Sequence, residues 1–407
     1  MNVAVIDGDV SYPANSGKRL RTLNLLLHAA RRHRVFYVGR CTAGSEEDRR
    51  APSYLRQHGI EPVLVHHPVP RKAGASFYAR LLANQFSSLP YSVMSHKSEP
   101  MRRAVSELAR RERIDVWQVE WAPYLQTIDA AIPGPRVVGA HNVDTVIWRR
   151  YYETETHPLK KALLRTQWRR FHRFENTAFR RATRVVAVTE GDAQQIRERF
   201  GQPHVDVVEN GIDRAYFESI VGRRNPSRIL FLGSLDWRPN LDAIGLLLDE
   251  IFPRVRAQQP DAELVVVGRN ATVELTERVR RTRGCEMHAD VPDVRPFLGS
   301  SGVMAVPLRI GGGSRLKILE AIASGLPVIA TSVAAEGLRL QPGLDYVQAE
   351  EDRMADAIVE AIRAPADMQA MAEHGRRIVL DTYDWAVLAK GLELSWERSV
   401  GQAAARQ

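Results

Sequence analysis

Apolar positions along this chain alternate between two spacings. Short unbroken runs, among them Asn2–Asp7, Arg34–Val38, Glu61–His66, Ile114–Val119, Pro135–Gly139 and Val185–Thr189, have the length and Val/Ile content of strands covered on both faces. Between them lie longer stretches at helical spacing. Lys18–Arg31 puts Leu20, Leu23, Leu26, Leu27 and Ala30 on one face, Glu99–Arg113 and Glu190–Arg199 follow, and Leu159–Arg184 aligns Leu164, Trp168, Phe171 and Ala178. In Ala75–Pro90 the residues Phe77, Tyr78, Leu81, Leu82 and Phe86 form an apolar helical face, which predicts a core helix. After Val205–Asp213 and a stretch of linker composition at 219–227, the alternation restarts. Strands are predicted at Arg228–Leu232, Glu263–Val267, Val303–Val306 and Val328–Ala330, and helices at Leu241–Ala257, from Leu316, at Asp352–Arg363 and at Asp367–Val379. Strand–helix–strand repeated through both halves predicts an α/β protein of two Rossmann-like, doubly wound domains.

Composition narrows this picture without changing it. A chain of 407 residues suits two cores better than one. With 26% charged and 44% hydrophobic residues it reads as an ordinary globular protein. No run approaches the ~18 consecutive apolar residues of a spanning helix, and the first residues enter a strand with no basic or apolar leader, so a cytoplasmic protein is expected. Cys41 and Cys285 lie far apart, fit a reducing compartment and suggest no metal site. The net charge of +9 is uneven: residues 1–218 hold 34 Lys and Arg against 23 Asp and Glu, and residues 219–407 hold 23 against 25. On the long helix Lys161, Arg165, Arg169 and Arg173 recur at spacing four. That is a solvated face or, beside a lipid-handling site, a face for an anionic bilayer. Nucleic acid is disfavoured, because aromatic residues do not interleave with the basic ones as a stacking groove requires.

The stretch carrying the most chemistry follows the strand Val303–Val306. Gly311, Gly312 and Gly313 make a turn, Ser314, Arg315 and Lys317 follow, and Leu316, Leu319, Ala323 and Leu326 recur at helical spacing until Gly325-Leu326-Pro327. Free backbone N–H groups and the dipole at such a helix start favour an anion, and two cations stand beside it. Glu320, one turn beyond Lys317, can accept hydrogen bonds from sugar hydroxyls. The pattern predicts a seat for a sugar diphosphate. Two other motifs fail. Gly17-Lys18 lacks the Ser/Thr and upstream glycine of a P-loop, and Asp7-Gly8-Asp9 ends a strand, where a buried carboxylate is the commoner reading than a metal ligand.

From these residues the chain resembles the family-four retaining glycosyltransferases of GT-B fold. Glu320-Ala321-Ile322-Ala323-Ser324-Gly325-Leu326-Pro327-Val328 matches the second half of their donor signature, and Val205–Asp213 (VDVVENGID) matches the phrase before their hinge. The resemblance implies two Rossmann-like domains facing across a cleft: an acceptor domain over 1–218, a nucleotide-sugar domain over 219–385, and a last helix over 386–407, after Tyr383-Asp384-Trp385, crossing back to the first. It implies a donor contact from Gly17, a sugar-facing His141, and a nucleobase frame around Val291. A diphosphate site would include Gly233, Ser234, Arg238, Gly311, Gly312, Gly313, Ser314 and Leu316, with Arg315, Lys317 and Glu320 as the reactive set. Where the family has an Arg and a Lys after the Gly233 strand, this chain has Ser234 and, near the second place, Asn240. Arg315 and Lys317 are expected to replace them. The signature's first Glu falls at position 312, which is Gly, so the donor loop is a variant one.

The resulting expectation is an active, metal-independent, retaining hexosyltransferase that needs no cofactor beyond its nucleotide-diphosphate sugar. Its acceptor is a glycan or lipid-linked sugar in cell-surface or exopolysaccharide synthesis, and its place is the cytoplasm, peripherally on the inner membrane face. A nucleotide-sugar 2-epimerase on the same fold, or a non-catalytic sugar-nucleotide binding protein at a membrane surface, is the alternative.

Overall fold

The computed structural model describes all residues except 15, 72, 221, 311–315 and 406–407. It divides into two compact units, Met1–Glu209 with Leu388–Gln407, and Asn210–Val387.

In the first unit seven strands form one sheet: β1 (Asn2–Ile6), β2 (Arg34–Arg40), β3 (Ile60–Val65), β4 (Val116–Val119), β5 (Arg136–Ala140), β6 (Arg184–Ala187) and β7 (Val205–Val207), in the order β3-β2-β1-β4-β5-β6-β7. Every pairing is parallel. Parallel neighbours need covered crossovers, so both faces are shut off from water and the strands read as apolar runs. Val3, Ala4, Val5 and Ile6 are fully buried. Helix starts are marked by side chains that accept otherwise orphaned N–H groups: Ser16 from Arg19, Ser45 from Asp48, Ser98 from Met101 and Thr189 from Asp192. The chain's last helix, Trp385–Ala404, joins this unit from Leu388 onward. Trp396 is wholly buried there, and its indole N–H donates to Gln118 Oε1 at 2.5 Å.

The second unit holds β8 (Asn225–Ser234), β9 (Glu263–Arg269), β10 (Cys285–Ala289), β11 (Ser301–Val306), β12 (Val328–Ala330) and β13 (Val347–Gln348), again all parallel, in the order β10-β9-β8-β11-β12-β13. Each sheet reverses its winding beside its first strand, between β1 and β4 and between β8 and β11. Crevices at the carboxyl ends of such neighbours are where doubly wound sheets hold ligands. Two Rossmann-like α/β domains, expected from the alternation of runs, are what the chain forms.

Several local expectations change. Of the stretch of linker composition at 219–227, residues 224–227 are tied down. β8 begins at Asn225, and Arg224 donates to the carbonyls of Leu298 (2.5 Å), Ser301 (3.1 Å) and Ser324 (2.6 Å). Ile212 and Phe217, ahead of it, already belong to the second core. The helix expected at Leu241–Ala257 is three pieces, Arg238–Leu246, a wide turn over Leu247–Ile251, and Phe252–Gln258. The wide turn precedes Pro253, which has no N–H to give to the preceding turn. The apolar face at 75–90 is not core. The helix Gly74–Asn84 leaves Tyr78 64% and Leu82 68% exposed, with Phe86 beyond it at 96%, because its buried contact is made by Asn84 instead. Asn84 donates to Leu89 O at 3.0 Å and accepts from Gln167 at 3.1 Å.

Candidate active site

In the second unit the switch point is built by β8, the start of the helix Arg238–Leu246, and the helix Leu316–Ala323. That last helix ends where the sequence predicted. Gly325 lies in left-handed backbone (φ 72°), a conformation that costs glycine little, and Leu326 N donates to Ala321 O (2.9 Å) while Gly325 N donates to Ile322 O (2.8 Å). One face of the helix, with Ile318, Leu319, Ala321, Ile322 and Ala323, is core. Lys317 and Glu320 fall on the half-buried remainder.

Lys317 Nζ donates to Asn240 Oδ1 at 2.7 Å and lies 4.7 Å from the centre of the Phe231 ring. Asn240 is buried and donates in turn to Ser234 O at 2.8 Å, so the amide is locked with its oxygen toward the lysine. Gly233 leaves no room for a side chain: a Cβ there would stand 2.6 Å from Asn240 Nδ2 and 2.9 Å from Lys317 Nζ. Burial pulls the Lys317 ammonium down to about 7, against the attraction of Glu320, and burial pushes the Glu320 carboxyl up to about 7, against that of Lys317. Only one of the three ammonium N–H bonds is used among the described residues, and Glu320 has no hydrogen-bond partner among them. A cation one turn before a carboxyl can bind an anion and a hydroxyl together.

Other expected donor residues take varied places. Gly311, Gly312, Gly313, Ser314 and Arg315 lie outside the described residues. The chain leading to them is anchored where Thr331 Oγ1 donates to Leu308 O at 2.7 Å. Leu316 is buried, which leaves its backbone as its only polar offer. Ser234 gives its hydroxyl to Asp236 at 2.6 Å, and Arg238 is exposed with no ion pair among the described residues. Val291 packs on the second core. Beside it is a cluster that sequence reading missed: Tyr216 OH donates to Asp293 Oδ1 at 2.8 Å, while Arg295 donates to the same carboxylate and stacks 4.2 Å over the Tyr216 ring. Asn240, which reads in sequence as a lost cation, is the residue that holds a cation. Its burial, and so its need for a partner, shows only in the fold.

In the first unit the strand ends gather a second set. His141, just past β5, donates from Nε2 to Glu120 Oε2 at 3.1 Å, and Thr22 donates to the same oxygen at 2.7 Å. Burial raises the Glu120 carboxyl, but the hydrogen bonds from His141, Gln118 and Thr22 outweigh it, leaving Glu120 at about 2 and ionised. Burial in turn lowers the His141 imidazole despite Glu120. An ionised carboxylate only accepts, so Nε2 of neutral His141 carries the proton and Nδ1 is left as an acceptor. The ring is thus suited to a hydroxyl rather than to a phosphate. Glu120 was visible only as a strand-end acid; its pairing with β5 had to come from the sheet order. Gly17 is the first residue of the helix Gly17–Ala29. Asp7 of the Asp-Gly-Asp motif is fully buried and accepts from Lys18 and, at 3.1 Å, from Tyr37 OH, while Asp9 accepts from Lys18 at 2.7 Å and Arg19 at 3.0 Å.

Known proteins resemble the chain in the same two parts. A family model described as Glycosyltransferase Family 4 matches residues 53–216, and one described as Glycosyl transferases group 1 matches 226–364. A GDP-mannose-dependent monoacylated alpha-(1-6)-phosphatidylinositol monomannoside mannosyltransferase of Corynebacterium glutamicum is 24% identical over 233 residues, 51% of this chain and 60% of that protein. A phosphatidyl-myo-inositol mannosyltransferase of Propionibacterium freudenreichii is 27% identical over 239 residues, 53% of this chain and 58% of that protein. The chain thus spans about six tenths of the length of these relatives. The solved structure of Anabaena HepE in complex with UDP superposes with a TM-score of 0.63 over 98% of this chain and all of its own, at 15% identity, a likeness of fold. The first sheet thus carries a domain that matches the family-four glycosyltransferase model and the second a domain that matches the group-1 glycosyl transferase model, on two Rossmann-like units of GT-B type.

Proposed function

We infer that this chain moves a sugar from a nucleotide-diphosphate sugar to a glycan or lipid-linked acceptor, with retention at the anomeric carbon and without a metal ion. The observation that carries the reading is the Lys317 ammonium held against Gly233 and Asn240 at the switch point, one turn before Glu320. The neighbour solved with UDP and the GDP-mannose-dependent relative support a nucleotide-diphosphate donor. In the reaction the acceptor oxygen bonds to the anomeric carbon as the bond from that carbon to the diphosphate breaks, on the same face. The hydroxyl proton passes to the departing phosphate, so no side-chain base is required and positioning carries much of the rate. Lys317 stabilises the charge that develops on the leaving group. Arg315 and the backbone amides of residues 311–314 are expected to add to it, and such donors would take the part a metal otherwise plays. Glu320 holds hydroxyls of the donor sugar, and in the first unit the Nδ1 of His141 is an acceptor suited to a hydroxyl.

The test is release of nucleoside diphosphate from a panel of nucleotide sugars with acceptor, with and without chelator. Lys317→Ala is expected to lose about 10²- to 10³-fold in turnover, the range seen when one donor to a developing anion is removed, and Glu320→Ala is expected to lose turnover with its contact to the sugar hydroxyls. Unchanged turnover in both variants refutes the assignment. The same reading puts the protein on the cytoplasmic face of a membrane during cell-surface glycan synthesis. Among the described residues no helix is long and apolar enough to cross a membrane. The exposed Tyr78, Leu82 and Phe86, together with exposed Arg165, Arg169 and Arg173, offer the apolar and cationic contacts a peripheral protein uses. Flotation with anionic liposomes at low salt is expected, and its absence removes this part.

A further inference from the structure

Three side chains unused by the transfer reaction converge at the carboxyl edge of the first sheet. Cys41 is the residue after β2, His66 is the residue after β3, and Asp48 sits in the first turn of the helix Glu46–Gln57 that connects the two strands. Their separation in sequence hides them. The parallel pairing of β2 with β3 brings them together, and Cys41 N donates to Val65 O at 3.1 Å. The Cys41 sulfur is 3.7 Å from Asp48 Oδ1, His66 Nε2 is 2.7 Å from the same oxygen, and all three ligand atoms lie within 4.8 Å of one another. Cys41 is buried, while the His66 side chain is 53% exposed, which leaves one side of the cluster open to water. Asp48 Oδ2 is occupied, accepting from Gly44 N at 2.9 Å, and that bond holds Oδ1 toward the other two.

We propose that Cys41, Asp48 and His66 form a binding site for a zinc-class divalent transition metal that clasps the β2–helix–β3 crossover, with water as the fourth ligand. A thiolate, an imidazole and a carboxylate select a borderline-soft ion over calcium or magnesium. Tetrahedral bonds of about 2.3 Å to sulfur and 2.0–2.1 Å to nitrogen and oxygen put the sulfur and carboxylate oxygen about 3.6 Å apart, close to their present separation. The imidazole gives up its hydrogen bond to Asp48 and opens from that oxygen by well under an ångström. The metal takes the place of the thiol proton, which leaves to solvent, and the two negative ligands balance its charge. Nothing in the donor seat is shared with this site, so the clasp stands or falls apart from the proposed reaction.

The experiment uses the full chain, stripped with chelator and titrated with Co²⁺. Binding through Cys41 gives a near-ultraviolet sulfur-to-cobalt charge-transfer band with tetrahedral visible bands, saturating at one ion per chain and abolished by Zn²⁺. Zinc added to the stripped protein raises its melting temperature. Cys41→Ser loses the charge-transfer band, and His66→Gln, at an exposed position that leaves folding intact, weakens cobalt binding at least tenfold. No charge-transfer band in the unaltered chain with excess cobalt, or a band of undiminished affinity in His66→Gln, overturns the site.

Discussion

Binding of a nucleotide sugar should weaken as pH rises above neutrality, and the size of the effect follows from Lys317 and Glu320. Both groups titrate near 7 in the ligand-free protein because both are desolvated. Raising the pH removes the ammonium charge and creates a carboxylate, and each change disfavours an anion, so the two effects have the same sign. The donor's diphosphate is esterified at both ends and keeps its charge throughout. For Lys317 alone the charged fraction falls about fivefold from pH 7 to 8 and about fiftyfold from 7 to 9, at 1.36 kcal/mol per pH unit. The decline has a ceiling: two charges about 4 Å apart near a protein surface are worth about 4 kcal/mol, or roughly a thousandfold. Isothermal titration calorimetry between pH 6 and 9, in buffers of different ionisation enthalpy, reads both affinity and proton uptake. The unaltered protein should take up protons on binding above pH 7. Lys317→Met, which keeps the apolar stem over Phe231, should bind weakly with a shallower pH slope, and Lys317→Met/Glu320→Gln should show none. A flat profile in the unaltered chain, or an unchanged slope in the double variant, refutes the assignment of these two groups.

Gly233→Ala should leave the melting temperature within a few degrees yet weaken nucleotide-sugar binding tenfold or more. The new methyl displaces Lys317 and the buried Asn240 amide, and overpacking of this kind costs about 1–3 kcal/mol; affinity equal to that of the unaltered chain by thermal shift or calorimetry counts against the seat. Trp396→Phe should destabilise the protein to urea by about 1–3 kcal/mol, because Gln118 Oε1 is left without its 2.5 Å indole partner in a buried place. Trp396→Ala should cost about 3–5 kcal/mol. A loss below 0.5 kcal/mol in both would mean that the last helix does not contribute to the first unit's core.

Much of the architecture was legible because it is encoded locally. Apolar runs of strand length and stripes of period 3.6 are properties of neighbouring residues, so the strands read at Asn2–Asp7, Glu263–Val267 and Val328–Ala330 form as Asn2–Ile6, Glu263–Arg269 and Val328–Ala330, and the helix from Leu316 and its glycine stop emerged from pattern alone. The same logic marked Lys317 and Glu320, since a cation and an acid one turn apart at a helix start share a side whatever surrounds them. Burial was another matter. Periodicity shows that the 75–90 stretch has an apolar face but not whether anything covers it, and the fold leaves Tyr78, Leu82 and Phe86 to solvent.

What only the tertiary structure decided are the pairings between distant residues. Lys317 meets Asn240 across 77 positions, His141 meets Glu120, and Trp396 reaches Gln118 across 278. Each depends on strand order, which the sequence does not state locally. The need for glycine at 233 likewise follows from a side chain arriving from another element. Residue types determined which chemistry the chain holds. The winding of two parallel sheets determined which of those groups lost their water and found partners, and thereby which of them titrate near neutrality.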